Sequence, residues 1–221
     1  MQCPKLILLD LDGTLVDSVP DLTYCIDKTM ERIQRPICGE SKVRNWVGNG
    51  IERLVCRALT GEMFNDPPAM DLARAMPIFL ELYSMHNGER SVLYPTVMES
   101  LRSLKTHNYL LACITNKASR FVTPLLTKLN IHHYFDLIIA GDTLPQKKPD
   151  PTPLLYAATH FKIEPNAVLM VGDSINDVQA ARAAGIAIVC VSYGYNHGQN
   201  IQDAHPDVVI DSFADLLASL S

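Results

Sequence analysis

Apolar residues fall into two regimes along this chain. Runs that are apolar at nearly every position, LILL at 6–9, YLLACI at 109–114, LIIA at 137–140, AVLMVG at 167–172 and IAIVCV at 186–191, alternate with stretches where apolar residues recur every three or four positions. The first pattern predicts strands buried on both faces and the second predicts amphipathic helices. Predicted helices begin near Thr96, ending near Asn108, and cover SRFVTPLLTKLN (119–130), TPLLYAATHF (152–161) and INDVQAARAAG (175–185). Pro124 should kink or restart the second, Thr152 should cap the third with Pro153 in its first turn, and Gly185 should close the fourth. A last strand, DVVI, and a short helix, SFADLLASL, finish the chain. Strands joined by helical crossovers imply an α/β fold: a doubly wound, mostly parallel sheet with a Rossmann-like core.

One region breaks the alternation. From about Val19 to Asn87 the periodicity is helical throughout, in DLTYCIDKTMERI, GIERLVCRALT and AMDLARAMPIFLELYSMH, divided by Gly61 and Pro67-Pro68. This block predicts an inserted helical cap domain at 18–88, with the catalytic core formed by 1–17 and 89–221. Trp46 and the apolar stripe of IERLVCRAL should form the cap interior, while Asp17 and Ser18 should be a hinge into it. WVGNG places two glycines and an asparagine between helices, as either a helix–helix turn or a loop approaching a ligand closely at Gly48, Asn49 and Gly50.

Composition narrows the partners. The 221 residues carry 48% hydrophobic and 19% charged residues, with a net charge of −5 and no basic cluster, which argues against nucleic acid and an anionic membrane surface. No stretch reaches the length needed to span a bilayer, and the start lacks a signal peptide's apolar stretch. Cys3, Cys25, Cys38, Cys56, Cys113 and Cys190 form no C-x-x-C pair. A cytoplasmic protein, monomer or homodimer, acting on a small molecule is expected.

In a doubly wound sheet, ligands bind beyond the carboxyl ends of the strands. Those ends carry Asp10-Leu11-Asp12-Gly13-Thr14, Thr115-Asn116, Lys147-Lys148-Pro149, and Gly172-Asp173-Ser174-Ile175-Asn176-Asp177. Gathered carboxylates repel one another and call for a cation; all-oxygen donors select Mg²⁺ over zinc. A hydroxyl, an ammonium and helix-start N–H groups suit a phosphoryl group. Taken singly, Asp173 and Asp177 would be ordinary helix N-terminal acids and Lys147-Lys148 a solvated pair. The adjacent His132-His133 and the other histidines show no ligand spacing.

The ordered motifs DLDGT, TNK, KKPDP and VGDSIND resemble the four motifs of the haloacid dehalogenase-like phosphatases. Further segments, among them VDSVPDL, WVGNGIERLVCRAL, GDTLPQKKPDPTPLL and SYGYNHG, resemble the bacterial phosphoglycolate phosphatases of that family along nearly the whole chain. The resemblance implies Mg²⁺-dependent hydrolysis of a small anionic phosphate ester, with 2-phosphoglycolate as the substrate. Asp10 would be the nucleophile that forms an aspartyl-phosphate, and Asp12 the general acid and then the base. Gly13, Thr115, Asn116 and Lys148 would surround the phosphoryl group, with Lys148 preferred to Lys147 because it directly precedes the proline. Mg²⁺ would be held by Asp10, the Asp12 carbonyl and Asp173, while Asp177 would either contact the metal or orient Lys148. Gly48, Asn49 and Gly50 would belong to a substrate-selecting loop.

Other readings keep the core but change the acceptor or substrate: a sugar phosphomutase, or a phosphatase for a sugar phosphate, nucleotide or pyrophosphate. A phosphonate hydrolase would need a cap lysine, and only Lys28 and Lys42 occur between 19 and 87. From another class, a phospho-accepting signalling receiver or an inactive binding module shares the aspartate, hydroxyl and lysine, but neither requires Asp12 or the helical insertion.

Overall fold

The computed structural model describes residues 4–220; Cys3 lies outside them. In chain order the elements begin with β1 (Leu6–Leu9), β2 (Val16–Asp17), α1 (Val19–Arg32), α2 (Glu40–Trp46), α3 (Ile51–Thr60), α4 (Ala69–His86) and β3 (Val92–Leu93). They continue with α5 (Val97–Thr106), β4 (Leu110–Ile114), α6 (Ser119–Lys128), β5 (Leu137–Ile139) and α7 (Thr152–Phe161). The last are β6 (Val168–Gly172), α8 (Ile175–Ala184), β7 (Ala187–Val191), β8 (Val208–Ile210) and α9 (Leu216–Ser219).

Six strands form one sheet in the order β5-β4-β1-β6-β7-β8, every neighbouring pair parallel. β1 is central and wholly buried, so both faces of LILL must be apolar. Ile7 and Leu9 join the cluster beneath α5, α6 and α9, whereas Leu6 and Leu8 join the one beneath α7 and α8. From β1 the chain runs to β4 and β5 on one side, then crosses to β6, β7 and β8 on the other. The carboxyl ends of β1, β4 and β6 therefore meet at the switch point, where a crevice opens.

Helices α1–α4 pack around Val43, Trp46, Leu54, Phe79 and Tyr83, with Phe121 and Tyr195 contributed from outside the helical block. The chain enters and leaves this block through β2 and β3, which pair antiparallel with Asp17 opposite Val92. Neither of these two-residue strands shows in the hydrophobic pattern.

Pro153 lies in the first turn of α7 as expected, whereas Pro124 does not divide its helix. α6 neither stops nor restarts at Pro124, and α4 likewise runs through Pro77. Each ring removes one N–H, and the carbonyl it would have served, on Arg120 or Ala73, belongs to an exposed residue that water can reach. Thr152 is not the cap of α7 but its first residue; its N–H donates to the Asp150 carboxylate at 2.8 Å, so the capping oxygen comes from two residues earlier. Gly61 and Gly185 do end α3 and α8 in left-handed conformations, as expected of glycine there.

Candidate active site

Asp10 follows β1 directly, and its N–H continues the strand pairing by donating to Val171 O at 3.0 Å. The chain then folds back at once: Val16 N–H donates to Leu11 O and Gly13 N–H to Val16 O, at 3.0 and 2.9 Å. Gly13 sits at φ 92°, and a Cβ there would come within 2.3 Å of Asp173 Oδ2. Glycine is required on both counts, and the tight approach brings the turn after β1 against the end of β6.

Three carboxylates, Asp10, Asp173 and Asp177, present oxygens within 4.8 Å of one another, all buried. Against them stands one ammonium. Lys148 Nζ lies 2.9 Å from Asp10 Oδ1 and 2.6 Å from Asp177 Oδ1, and it donates to Ile114 O at 2.7 Å. Its three N–H bonds are thus committed, so its effect on an incoming anion is chiefly that of a fixed charge. Burial lowers the Lys148 pKa, but Asp10 and Asp177 more than offset this and hold it protonated. Burial likewise drives the Asp10 carboxyl up to about 7, with Lys148 opposing and Asp177 adding, and raises Asp173 through burial, Asp10 and Asp177. The negative charge here exceeds what one lysine neutralises. A hard divalent cation held by carboxylate and carbonyl oxygens fits this donor set, and Mg²⁺ is such an ion.

The two metal candidates on the β6 side differ. Asp173 is oriented by Thr14 Oγ1, which donates to its Oδ1 at 2.7 Å, and by the Tyr195 N–H, which donates to Oδ2 at 2.6 Å. Asp177 Oδ2 accepts from Asp173 N–H, Ser174 N–H and Ser174 Oγ at 3.2, 3.1 and 2.8 Å, forming the capping box of α8, while Oδ1 accepts from Lys148. With both oxygens engaged and no surface exposed, Asp177 fits the task of orienting Lys148 better than that of a metal ligand.

Asp12 does not join the cluster. Its carboxylate faces Lys117 Nζ at 3.1 and 3.3 Å, and Lys117 also donates to the Tyr83 hydroxyl on α4. Thr115 is buried at the end of β4, its Oγ1 accepting from Lys117 N–H at 3.2 Å. Asn116 Nδ2 donates to Lys148 O and Gly48 O at 2.9 and 3.2 Å, tying the core to the WVGNG loop.

Asp10, Asp12, Thr115, Asn116, Lys148 and Asp173 line one cavity, open to solvent. Leu22, Val47, Gly48, Gly50, Ile51 and Leu54 of the helical block line it too. Asn49 does not: its Oδ1 accepts from Arg57 at 2.8 Å, so its side chain serves the helical block, and only its neighbours face the cavity. Lys147 is exposed and donates to Asn49 O at 3.3 Å, leaving the buried position to Lys148.

Several site residues escaped the sequence reading. Lys117 stands inside TNK without an assigned role, and Thr14 inside DLDGT. Tyr195 lies in SYGYNHG, which pattern alone gives no chemistry; its hydroxyl donates to Asp17 and accepts from Ser18 N–H. Tyr83 carries no sequence signal, because its helical position reads as core.

A buried aspartate at the end of the central strand, a second aspartate two residues on and a carboxylate–lysine cluster across a parallel switch point define a class. The chain belongs to the haloacid dehalogenase-like hydrolase family, whose model matches residues 7–191. It is 56% identical over 218 residues to a phosphoglycolate phosphatase of Nitrosococcus oceani, covering 99% of this chain and 97% of that protein. It is 47% identical over 215 residues to phosphoglycolate phosphatase 1 of Pseudomonas aeruginosa, covering 97% of this chain and 79% of that one. A crystal structure described as a predicted phosphoglycolate phosphatase from Haemophilus somnus superposes with a TM-score of 0.94 at 38% identity, covering 100% of both chains.

Proposed function

We propose that this hydrolase cleaves 2-phosphoglycolate to glycolate and inorganic phosphate through an aspartyl-phosphate on Asp10. The observation that carries the reading is the buried group of Asp10, Asp173 and Asp177 against Lys148, with Asp12 two residues beyond Asp10 on the cavity wall. Similarity to phosphoglycolate phosphatases over nearly the whole chain supports the substrate.

An Asp10 carboxylate oxygen attacks phosphorus, and the ester P–O bond breaks as Asp12 gives its proton to the departing glycolate oxygen. Asp12 then takes a proton from water, whose oxygen attacks phosphorus and releases Asp10 and phosphate. Lys148 fixes positive charge beside Asp10, Thr115 and the Asn116 N–H contact the phosphoryl oxygens, and Asp177 holds Lys148. Mg²⁺ would be held by Asp10, the Asp12 carbonyl and Asp173, and would supply charge neutralisation between a phosphate and a carboxylate brought together there. Residues 18–88 act as the cap over the core, and their apolar side of the cavity limits substrates to small ones. Among the described residues no helix is long and apolar enough to cross a membrane, and we place the reaction in the cytoplasm.

The test is phosphate release from a panel containing phosphoglycolate, hexose phosphates, nucleotides and pyrophosphate, with Mg²⁺ and with EDTA. Wild type should release phosphate fastest from phosphoglycolate and stop in EDTA, while Asp10→Asn and Asp12→Asn should not turn over. Full activity of Asp10→Asn would end the nucleophile assignment. Interconversion of hexose phosphates without phosphate release would favour a phosphomutase.

A further inference from the structure

The cavity holds a donor with nothing to donate to. Asn176, in the first turn of α8, is 6% exposed and lines the cavity, yet its Nδ2 has no hydrogen-bond partner. It faces the WVGNG loop, 3.9 Å from where a Gly48 Cβ would stand. Buried amide donors are rarely left this way unless a ligand or water completes them.

On the loop side, α3 begins at the same cavity. Its N-cap is Gly50, at φ 90°, which has no side chain with which to cap the helix. The first N–H groups of a helix have no partner within it, and Gly50 and Ile51 line the cavity where these groups start. The side chains around them, Leu22, Val47, Ile51 and Leu54, are apolar. The cavity's two lysines are already engaged: Lys148 with Asp10, Asp177 and Ile114 O, Lys117 with Asp12 and Tyr83. An anionic group at this end of a substrate would find amide donors on the cavity wall, with the exposed Lys147 Nζ nearby, 3.4 Å from where a Gly50 Cβ would stand and donating to Asn49 O.

We infer that Asn176 Nδ2 and the first backbone N–H groups of α3 form a subsite for the substrate's carboxylate, next to the phosphoryl position. This rests on the phosphomonoesterase reading above and names the substrate class: a phosphate ester whose carboxylate is separated from the ester oxygen by a very short link. The span is short because Asn176 lies three residues after Asp173 and the loop is tied to Asn116 through Gly48 O at 3.2 Å.

Binding without turnover tests the subsite separately from the reaction. In the Asp10→Asn protein with Mg²⁺, calorimetric titration compares 2-phosphoglycolate with 2-hydroxyethyl phosphate, which keeps the phosphate and replaces the carboxylate by an alcohol. The expected preference for phosphoglycolate is about 10- to 100-fold, the range for hydrogen bonds to a charged group. Adding Asn176→Ala should remove most of it while affinity for hydroxyethyl phosphate stays within about threefold, and Asn176→Asp should reverse the preference, weakening phosphoglycolate more than hydroxyethyl phosphate. No preference in the Asp10→Asn protein, equal loss of both ligands, or loss of all binding in both Asn176 variants would each overturn the assignment. Failure of wild type to release phosphate from phosphoglycolate would instead count against the reaction, whatever the binding ratio.

Discussion

Replacing Gly194 by alanine adds one methyl group where no space exists. A Cβ at this position would stand 2.1 Å from Asp173 Cβ, 2.5 Å from its Oδ2 and 2.6 Å from its Cγ. Carbons in contact sit about 3.5–4.0 Å apart, so either Asp173 or the loop must move by more than about an ångström. Gly194 has no positive φ, so the backbone conformation itself would accept alanine. Asp173 is 2% exposed and held by Thr14 and by the Tyr195 N–H, which follows Gly194 directly; the movement breaks at least one of these bonds. Overpacking of this kind costs about 1–3 kcal/mol, and for a chain of this length each kcal/mol lowers Tm by about 2–4 °C. A displacement of about 1 Å at a site group costs about 10²-fold in rate. Phosphate release should therefore fall by about that factor in Gly194→Ala, with the Mg²⁺ concentration for half-maximal rate raised, because Asp173 is a proposed ligand. Wild-type activity, or a reduced rate with an unchanged Mg²⁺ dependence, would refute the view that Gly194 sets the position of Asp173.

Lys148→Met leaves three carboxylates without their ammonium; turnover should drop by about 10²–10³-fold, and Mg²⁺ should raise Tm more than it does in wild type. An unchanged rate would show that the buried charge is dispensable. Lys117→Met frees the Asp12 carboxylate and should lower kcat by about tenfold or more, with partial recovery in Lys117→Arg, both read by steady-state kinetics. Burial, foremost, lowers the His197 pKa below 6.5, with Arg57 adding to this and the bond to Asn45 O opposing it. The unfolded chain then takes up the proton more readily, so this residue's contribution is present above about pH 6.5 and is lost as pH falls through and below that value. Melting at about pH 7.5 and about pH 5.5 should show a smaller acid-induced loss in His197→Gln than in wild type.

The fold was legible because its main signals are long-range in consequence but local in form. Uninterrupted apolar runs such as LILL and LMVG identify strands buried on both faces, and helical spacing between them leaves few topologies. The strand-end acids were legible for the same reason, since the sheet's carboxyl ends collect whatever follows each run. What the pattern could not show was partnership. Nothing local distinguishes Lys117, which reaches Asp12 and Tyr83, from Lys147, which is exposed and donates to a loop carbonyl. Asn49 shared its neighbours' glycine-rich context, yet its amide turned to Arg57, a residue eight positions away on α3. Asp177 had two possible tasks in the sequence, and its hydrogen bonds to Ser174 and Lys148 favour one of them.

The central place of β1 also bears on how the chain is made. β1 leaves the ribosome before either of its neighbours, and 159 residues separate Thr14, just beyond it, from its partner Asp173 after β6. At about 5–20 residues per second, LILL waits on the order of ten seconds or more before both edges can be paired. Helices α1–α4, whose contacts lie largely among themselves, are complete long before then. During that interval the most apolar strand of the future site is an unpaired edge, so pausing synthesis before residue 168 should leave a nascent chain that is helical and protease-sensitive at its N-terminal strand.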